Sequence, residues 1–196
     1  AIAPTWSISR RDFLGANGLD TRKAEDLRFT YAHTARGGLL SKTKGGPYLV
    51  YRFHFTSDSF NIPSKLIHEI RVRAFEHQWL SQSKCVHPGK TDLWDHPRPF
   101  SVWGAGRDGK KFVSALRPEF RNRVSCMGDV DARKIGLQYH HKHLGFEIPV
   151  VHWRDLEAPC VLCVKLDLTG GEFEANVSKM ISLKKWEEGV HYIQFA

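Results

Sequence analysis

The chain has 196 residues, with 29 Lys and Arg against 21 Asp and Glu and a formal net charge of +8. At 41% hydrophobic and 12% aromatic it holds enough apolar material for a core, which excludes a disordered chain. No run approaches the ~18 consecutive apolar residues of a membrane span, so a soluble protein with no membrane partner is expected.

The length suits a single domain over residues 1–196, with an N-terminal segment free to be flexible. Cys85, Cys126, Cys160 and Cys163 are too few and too scattered for a disulfide scaffold. They point to a reducing, intracellular setting without separating nucleus, cytoplasm and organelle. Ser9-Arg10-Arg11-Asp12-Phe13-Leu14 looks like a twin-arginine export signal. Gly15 to Asp20 stands where an apolar stretch must follow, so the match is read as accidental.

Along the chain, residues 35–47 form a cationic Gly-rich loop carrying Lys42 and Lys44. Tyr48 to Phe55 is the clearest strand, with Arg52 and His54 on its half-polar face. The best helix covers about 63–80, since Leu66, Ile67, Ile70, Ala74 and Phe75 recur at helical spacing and Arg71 studs the polar side. Residues 84–111 are loop-rich, with Arg98 and Arg107 among them. Asp108-Gly109 between Phe100–Trp103 and Phe112–Ala115 predicts a β-hairpin, with Lys110 just past the turn. A polar stretch follows with Arg117, Arg121, Arg123, Arg133 and Lys134. Strands are expected at Ile148–Trp153, Cys160–Leu168, Glu172–Ala175 and Val190–Phe195, with a second helix at about 177–187. Strands and helices without a regular βαβ rhythm imply an α+β fold, mainly an antiparallel sheet with two main helices.

The densest polar cluster is Tyr139-His140-His141-Lys142-His143. Phosphodiester cleavage needs a base, an acid and a cation, and His140, His141, His143 and Lys142 offer all three. No carboxylate in the sequence is obviously placed to orient these rings. Pro159-Cys160-Val161-Leu162-Cys163 matches half of a zinc deaminase signature, but no upstream His-x-Glu or Cys-x-Glu accompanies it. Cysteines three apart on a strand point to opposite faces, so Cys160 and Cys163 are expected to be buried core residues, with no metal. A restriction-type nuclease fails on Cys163, which stands where the second acid belongs between Asp155 and Lys165. Glu172-Phe173-Glu174 with Arg52 loosely resembles elements of ADP-ribosyltransferases but lacks their Ser-Thr-Ser partner, and reads as a solvated strand edge. The chain is read as holding no Gly-x-Gly-x-x-Gly at a strand–helix junction, no Walker loop and no nucleophile elbow.

Basic residues interleaved with aromatics favour binding of single-stranded RNA or DNA, with phosphates on Arg and Lys and bases stacked on exposed rings. The contact residues are Lys42, Lys44, Arg52, His54, Arg71, Arg98, Arg107, Lys110, Arg117, Arg121, Arg123, Arg133, Lys134 and Lys142. Two alternatives are a nuclease-type hydrolase using the 139–143 cluster and a module for an acidic protein partner. No cofactor is expected, a divalent metal enters only in the nuclease case, and a homo-oligomer stays open.

Overall fold

The computed structural model describes residues 8–19, 22–39, 62–81, 92–95, 97–165 and 169–195. They belong to two compact units, one of Ala1–Gln78 with Ser83–Pro88 and one of Trp79–Gln82 with Gly89–Ala196. The predicted strand 48–55 lies outside the described residues, as do Lys42, Lys44, Arg52 and His54.

The first unit is helical where it is described. α1 (Arg10–Gly15) is capped by Ser9, whose Oγ accepts from the Asp12 amide at 3.1 Å. α2 (Glu25–Ala35) meets α1 through Phe13 and Phe29, whose ring centres lie 5.4 Å apart. α3 (Ser64–Phe75) runs on into a π turn, Glu76–Leu80, so the helix expected over 63–80 is present. Gln78 donates to Thr34 Oγ1 at 2.8 Å and holds the end of this helix to α2.

The second unit is built on a six-stranded sheet: β1 (Phe100–Trp103), β2 (Val124–Asp129), β3 (Gln138–His141), β4 (Phe146–His152), β5 (Cys160–Leu162) and β6 (Tyr192–Gln194), in the order β3-β4-β2-β1-β5-β6. The α+β class holds, with helices and strands mixed, but the sheet is not mainly antiparallel. Every neighbouring pair is parallel except the hairpin β3–β4. The expectation failed because the crossovers are uneven. α4 (Arg107–Ala115) and α5 (Pro118–Arg121) join β1 to β2, and α6 (Glu172–Lys184) joins β5 to β6. Between β4 and β5 there is only a 3-10 turn, Trp153–Asp155.

Two element assignments also change. Asp108-Gly109 is no hairpin turn; it lies in the first turn of α4. Gly109, Phe112, Val113 and Leu116 recur at i, i+3, i+4 and i+7, and all four are buried. Glu172–Ala175 is the first turn of α6, whose Phe173 and Met180 are buried with Val177 and Ile181 packed beside them. Glu172 and Glu174 are therefore not an edge-strand pair.

Strand register explains the layers. Ser101 pairs with Cys126 and Cys160, and Trp103 with Gly128 and Leu162, so these side chains share a face. α6 covers that face: Trp103, Cys160, Leu162, Phe173 and Met180 form one apolar cluster, with Trp103 stacked on Trp153 at 5.2 Å. α4 lies on the opposite face, where Phe112 meets Phe195 at 4.6 Å. A strand covered on both sides is apolar throughout, and all four residues of β1 are buried.

Arg123, expected on a nucleic-acid surface, turns inward at 5% exposure. Its guanidinium donates to the carbonyls of Arg98 (2.7 Å), Leu80 (2.9 Å), Trp94 (3.0 Å) and Asp95 (3.3 Å). Removal from water lowers its pKa from the ordinary arginine value. These bonds join three separate chain segments to the start of β2. Arg123→Met strands several carbonyls together, and unsatisfied buried polar groups cost about 1–3 kcal/mol each. The denaturant midpoint of this variant should fall by the equivalent of at least about 3 kcal/mol, with nucleic-acid affinity unaffected in the fraction that stays folded.

Candidate functional site: a glycine turn at the strand-order switch

In chain order the sheet grows one way from β1 to β2 and β4, and the other way from β5 to β6. The reversal leaves a crevice at the carboxyl ends of β1 and β5, where ligands gather in open parallel sheets. A cleft of about 300 Å³ lies there. It is walled by the β1–α4 turn, by Gly128 to Val130 ending β2, by Cys163 to Lys165 after β5, and by Glu172, Phe173 and Asn176 of α6.

The β1–α4 turn reads Gly104-Ala105-Gly106-Arg107-Asp108-Gly109, a Gly-x-Gly-x-x-Gly at a strand–helix junction. The reading that the chain holds none is thereby corrected. The three glycines differ in what their backbones and surroundings demand. Gly104 has φ +124°, a conformation that side chains rarely adopt. Its amide and that of Ala105 both donate to the Gly128 carbonyl, at 2.8 and 3.2 Å, tying the turn to β2. Gly106, the N-cap of α4, is extended (φ −88°, ψ −163°), and an added Cβ would meet nothing within 4 Å. Its missing side chain leaves open space rather than relieving a clash. A Cβ on Gly109 would lie 1.8 Å from the Gly104 carbonyl oxygen, so only glycine lets α4 press this closely on the turn.

Among the described residues no side-chain hydrogen bond caps α4. The first amides of a helix have no partner within it, and together with the helix dipole they favour an anion. Arg107 projects beside this terminus and pairs with Asp108 at 3.3 Å. Across the cleft, Thr169 Oγ1 accepts from the Phe173 amide at 3.1 Å and fixes the start of α6.

Asp129 ends β2 at the rim of the cleft and is 8% exposed. Its Oδ1 accepts from the Asp131 amide at 3.0 Å, and its Oδ2 from Lys134 Nζ at 2.8 Å. Next along, Arg133 grips Asp131 at 3.0 and 2.9 Å and holds that carboxyl down at about 2. Val130, between the two acids, is 57% exposed. The glycines, Asp129 and Asn176 were not singled out from sequence as ligand sites, and Glu172 and Phe173 were read with Glu174 as a solvated strand edge. Arg107 and Lys134 were singled out, as nucleic-acid contacts.

The histidines lie elsewhere in this unit, on the β3–β4 hairpin. Tyr139 and His141 share one face of β3, and His140 takes the other. The antiparallel register sets Glu147 opposite His140, with Nδ1 and Oε1 2.9 Å apart, so one ring does have an orienting carboxylate. His141 accepts from the Leu144 amide and stacks on Phe146 at 5.2 Å, while His143 and Lys142 are exposed in the turn. The His141 and His143 rings lie edge to face with centres 6.2 Å apart, while His140 is on the opposite face of β3. Lys110 Nζ sits 4.9 Å from the Tyr139 ring centre and Arg121 5.0 Å from that of Phe146, which gathers cations and aromatics at this sheet edge. Of the other cations singled out, Arg98 and Arg117 are exposed, and Arg71 is half-buried on α3 in the first unit.

Cys160 and Cys163 are buried, as expected. Among the described residues no group of three His, Cys, Asp or Glu side chains is placed to hold a metal ion. No helix among them is long and apolar enough to cross a membrane. No family model matches the chain, and no solved structure matches it.

Burial pushes the Cys160 thiol up to about 12 and raises Cys126 as well. A thiol whose folded pKa exceeds its unfolded value stabilises the fold below about 8.5, and that contribution is lost as pH rises toward the folded value. Stability should therefore decline above pH ~8.5. In the native protein at pH ~8 Cys160 should resist a disulfide reagent that labels it after unfolding. Both are read by denaturant titration across pH and by thiol counting.

Proposed function

We propose that the sheet-bearing unit binds a nucleotide-type ligand, with its phosphates against the Gly104–Gly109 turn and its nucleoside toward Asp129. The observation that carries this is Gly106, a glycine with empty space where its side chain would be, at the uncapped start of a nine-residue helix. Backbone approach to a diphosphate needs such a position, while the outer two glycines shape the turn and let helix and strand close. Lys165 on the β5 side of the cleft adds a cation for the same anion.

The pair Gly106→Val and Gly109→Ala separates ligand binding from folding. A Cβ at 106 meets nothing within 4 Å, so the melting temperature of Gly106→Val should stay within a few degrees while affinity for ADP-ribose drops at least ~10-fold, a loss of about 1.4 kcal/mol. Alanine at 109 collides with backbone and should destabilise the fold by about 1–3 kcal/mol. Calorimetric titration with ADP-ribose beside thermal melts reads both. A wild-type protein that binds no nucleotide, or a Gly106→Val variant that binds as well as the parent, would sink the proposal.

A second function is favoured by the basic and aromatic edge at β3–β4: binding of single-stranded RNA or DNA, with Lys110, Arg121 and Lys142 toward phosphates and Tyr139, His141 and Phe146 beside bases. Neutralised phosphates release counterions, so affinity should fall steeply with salt. Lys110→Ala with Lys142→Ala removes two exposed cations and should reduce the magnitude of the log–log salt slope by about 1.4–2. Fluorescence anisotropy of a labelled mixed-sequence oligonucleotide checks it, and an unchanged slope would remove this edge from the interface.

A further inference from the structure

The loop after β2 narrows the ligand class, given the nucleotide reading above. Asp129 reaches the rim of the cleft with both carboxylate oxygens already engaged once, Oδ1 by the Asp131 amide and Oδ2 by Lys134. A carboxylate oxygen has a second acceptor site, so Asp129 can still take two hydroxyl donors. A ribose with adjacent 2′- and 3′-hydroxyls presents such a pair, and the exposed Val130 beside it offers an apolar surface for a base.

The same loop is badly matched to a phosphorylated ribose. A phosphate monoester brings a charge of about −1.5 to −2 at neutral pH. It would sit against a carboxylate that is 8% exposed, where water screens the repulsion poorly. Recognition of a 2′-phosphate calls for an arginine turned toward the ribose. Both cations of the loop are instead matched to carboxylates, Lys134 to Asp129 and Arg133 to Asp131. Arg107, at the other side of the turn, pairs with Asp108.

We infer that the cleft takes a nucleoside diphosphate derivative whose ribose keeps a free 2′-hydroxyl, read by Asp129, and that it rejects the 2′-phosphorylated counterpart. NAD, FAD and ADP-ribose share this group, and NADP lacks it.

The test compares NADH with NADPH by ligand fluorescence on the full chain, with ADP-ribose and FAD as competitors. NADH should bind at least tenfold tighter than NADPH. In Asp129→Asn, which keeps an acceptor and loses the charge, NADH should weaken and the ratio should fall to within about threefold. In Lys134→Gln the cation paired with Asp129 is gone, and the ratio should widen at least threefold. Displacement by ADP-ribose alone assigns the shared group, and displacement by FAD but not ADP-ribose assigns a flavin source; both keep the ribose assignment. Equal binding of NADH and NADPH by the wild type overturns the inference and leaves the nucleotide site standing. Failure of all four ligands overturns the site itself. A thermal melt accompanies each variant. If Asp129→Asn does not fold, Lys134→Gln decides, and an unchanged ratio there counts against Asp129.

Discussion

In the sheet-bearing unit α4 packs against the β1 turn through two glycines, Gly104 and Gly109. α4 approaches the β1 turn so nearly that the Gly104 carbonyl occupies the place of a Gly109 side chain. That approach aims the uncapped amides of α4 across the carboxyl end of β1 and lays Phe112 and Val113 on the sheet. The Gly128 carbonyl, taking the amides of Gly104 and Ala105, carries the constraint into β2 and so to Asp129 one residue further on. The amino end of α4 and the carboxylate of Asp129 are thus linked through one short run of backbone hydrogen bonds. With Gly109 replaced by a larger residue, the helix must tilt or the turn must open, and the spacing between them changes.

Arg123 performs a different task in the same unit. An arginine at 5% exposure is ordinarily an expensive element, and here it is matched by carbonyls, with the charge of Asp95 also favouring its cationic form. Of the acceptors, Leu80 and Trp94 end helical turns, whose last carbonyls look outside the helix for a donor. One planar donor group does for them what a strand partner would do in a sheet.

Much of the fold was legible in the sequence, and the gaps have physical causes. The helix over 63–80 and the apolar runs at β1, β4 and β5 follow from periodicity and strand propensity. Strand direction does not, because parallel pairing depends on crossovers, and here a hairpin and a single 3-10 turn interrupt the strand–helix alternation that marks a parallel sheet. Asp-Gly is a strong hairpin signal locally, and it concealed a glycine fingerprint that is plain in the letters. The spacing of Gly109, Phe112, Val113 and Leu116 was the available correction. Asp129 could not be distinguished from other acids until strand order made β2 the neighbour of β1. Nor could Arg123 be told from surface arginines, since its acceptors are backbone atoms from distant segments. Burial of Cys160 and Cys163 was legible because the residues around them are apolar and extended.

The central strand also bears on how the chain acquires its structure. β1 hydrogen-bonds on one side to β2, close in sequence, and on the other to β5, which lies beyond β2, β3 and β4. As the polypeptide emerges from the ribosome, β1, β2 and the β3–β4 hairpin can assemble while one edge of β1 still lacks its neighbour. That edge is buried in the finished fold and composed of Phe, Ser, Val and Trp, a template for mispairing with another nascent chain. Non-local parallel pairing is slow because the loop must close before its contacts form. The order of strands in space therefore sets a vulnerable interval during synthesis, which ends only when Cys160–Leu162 docks.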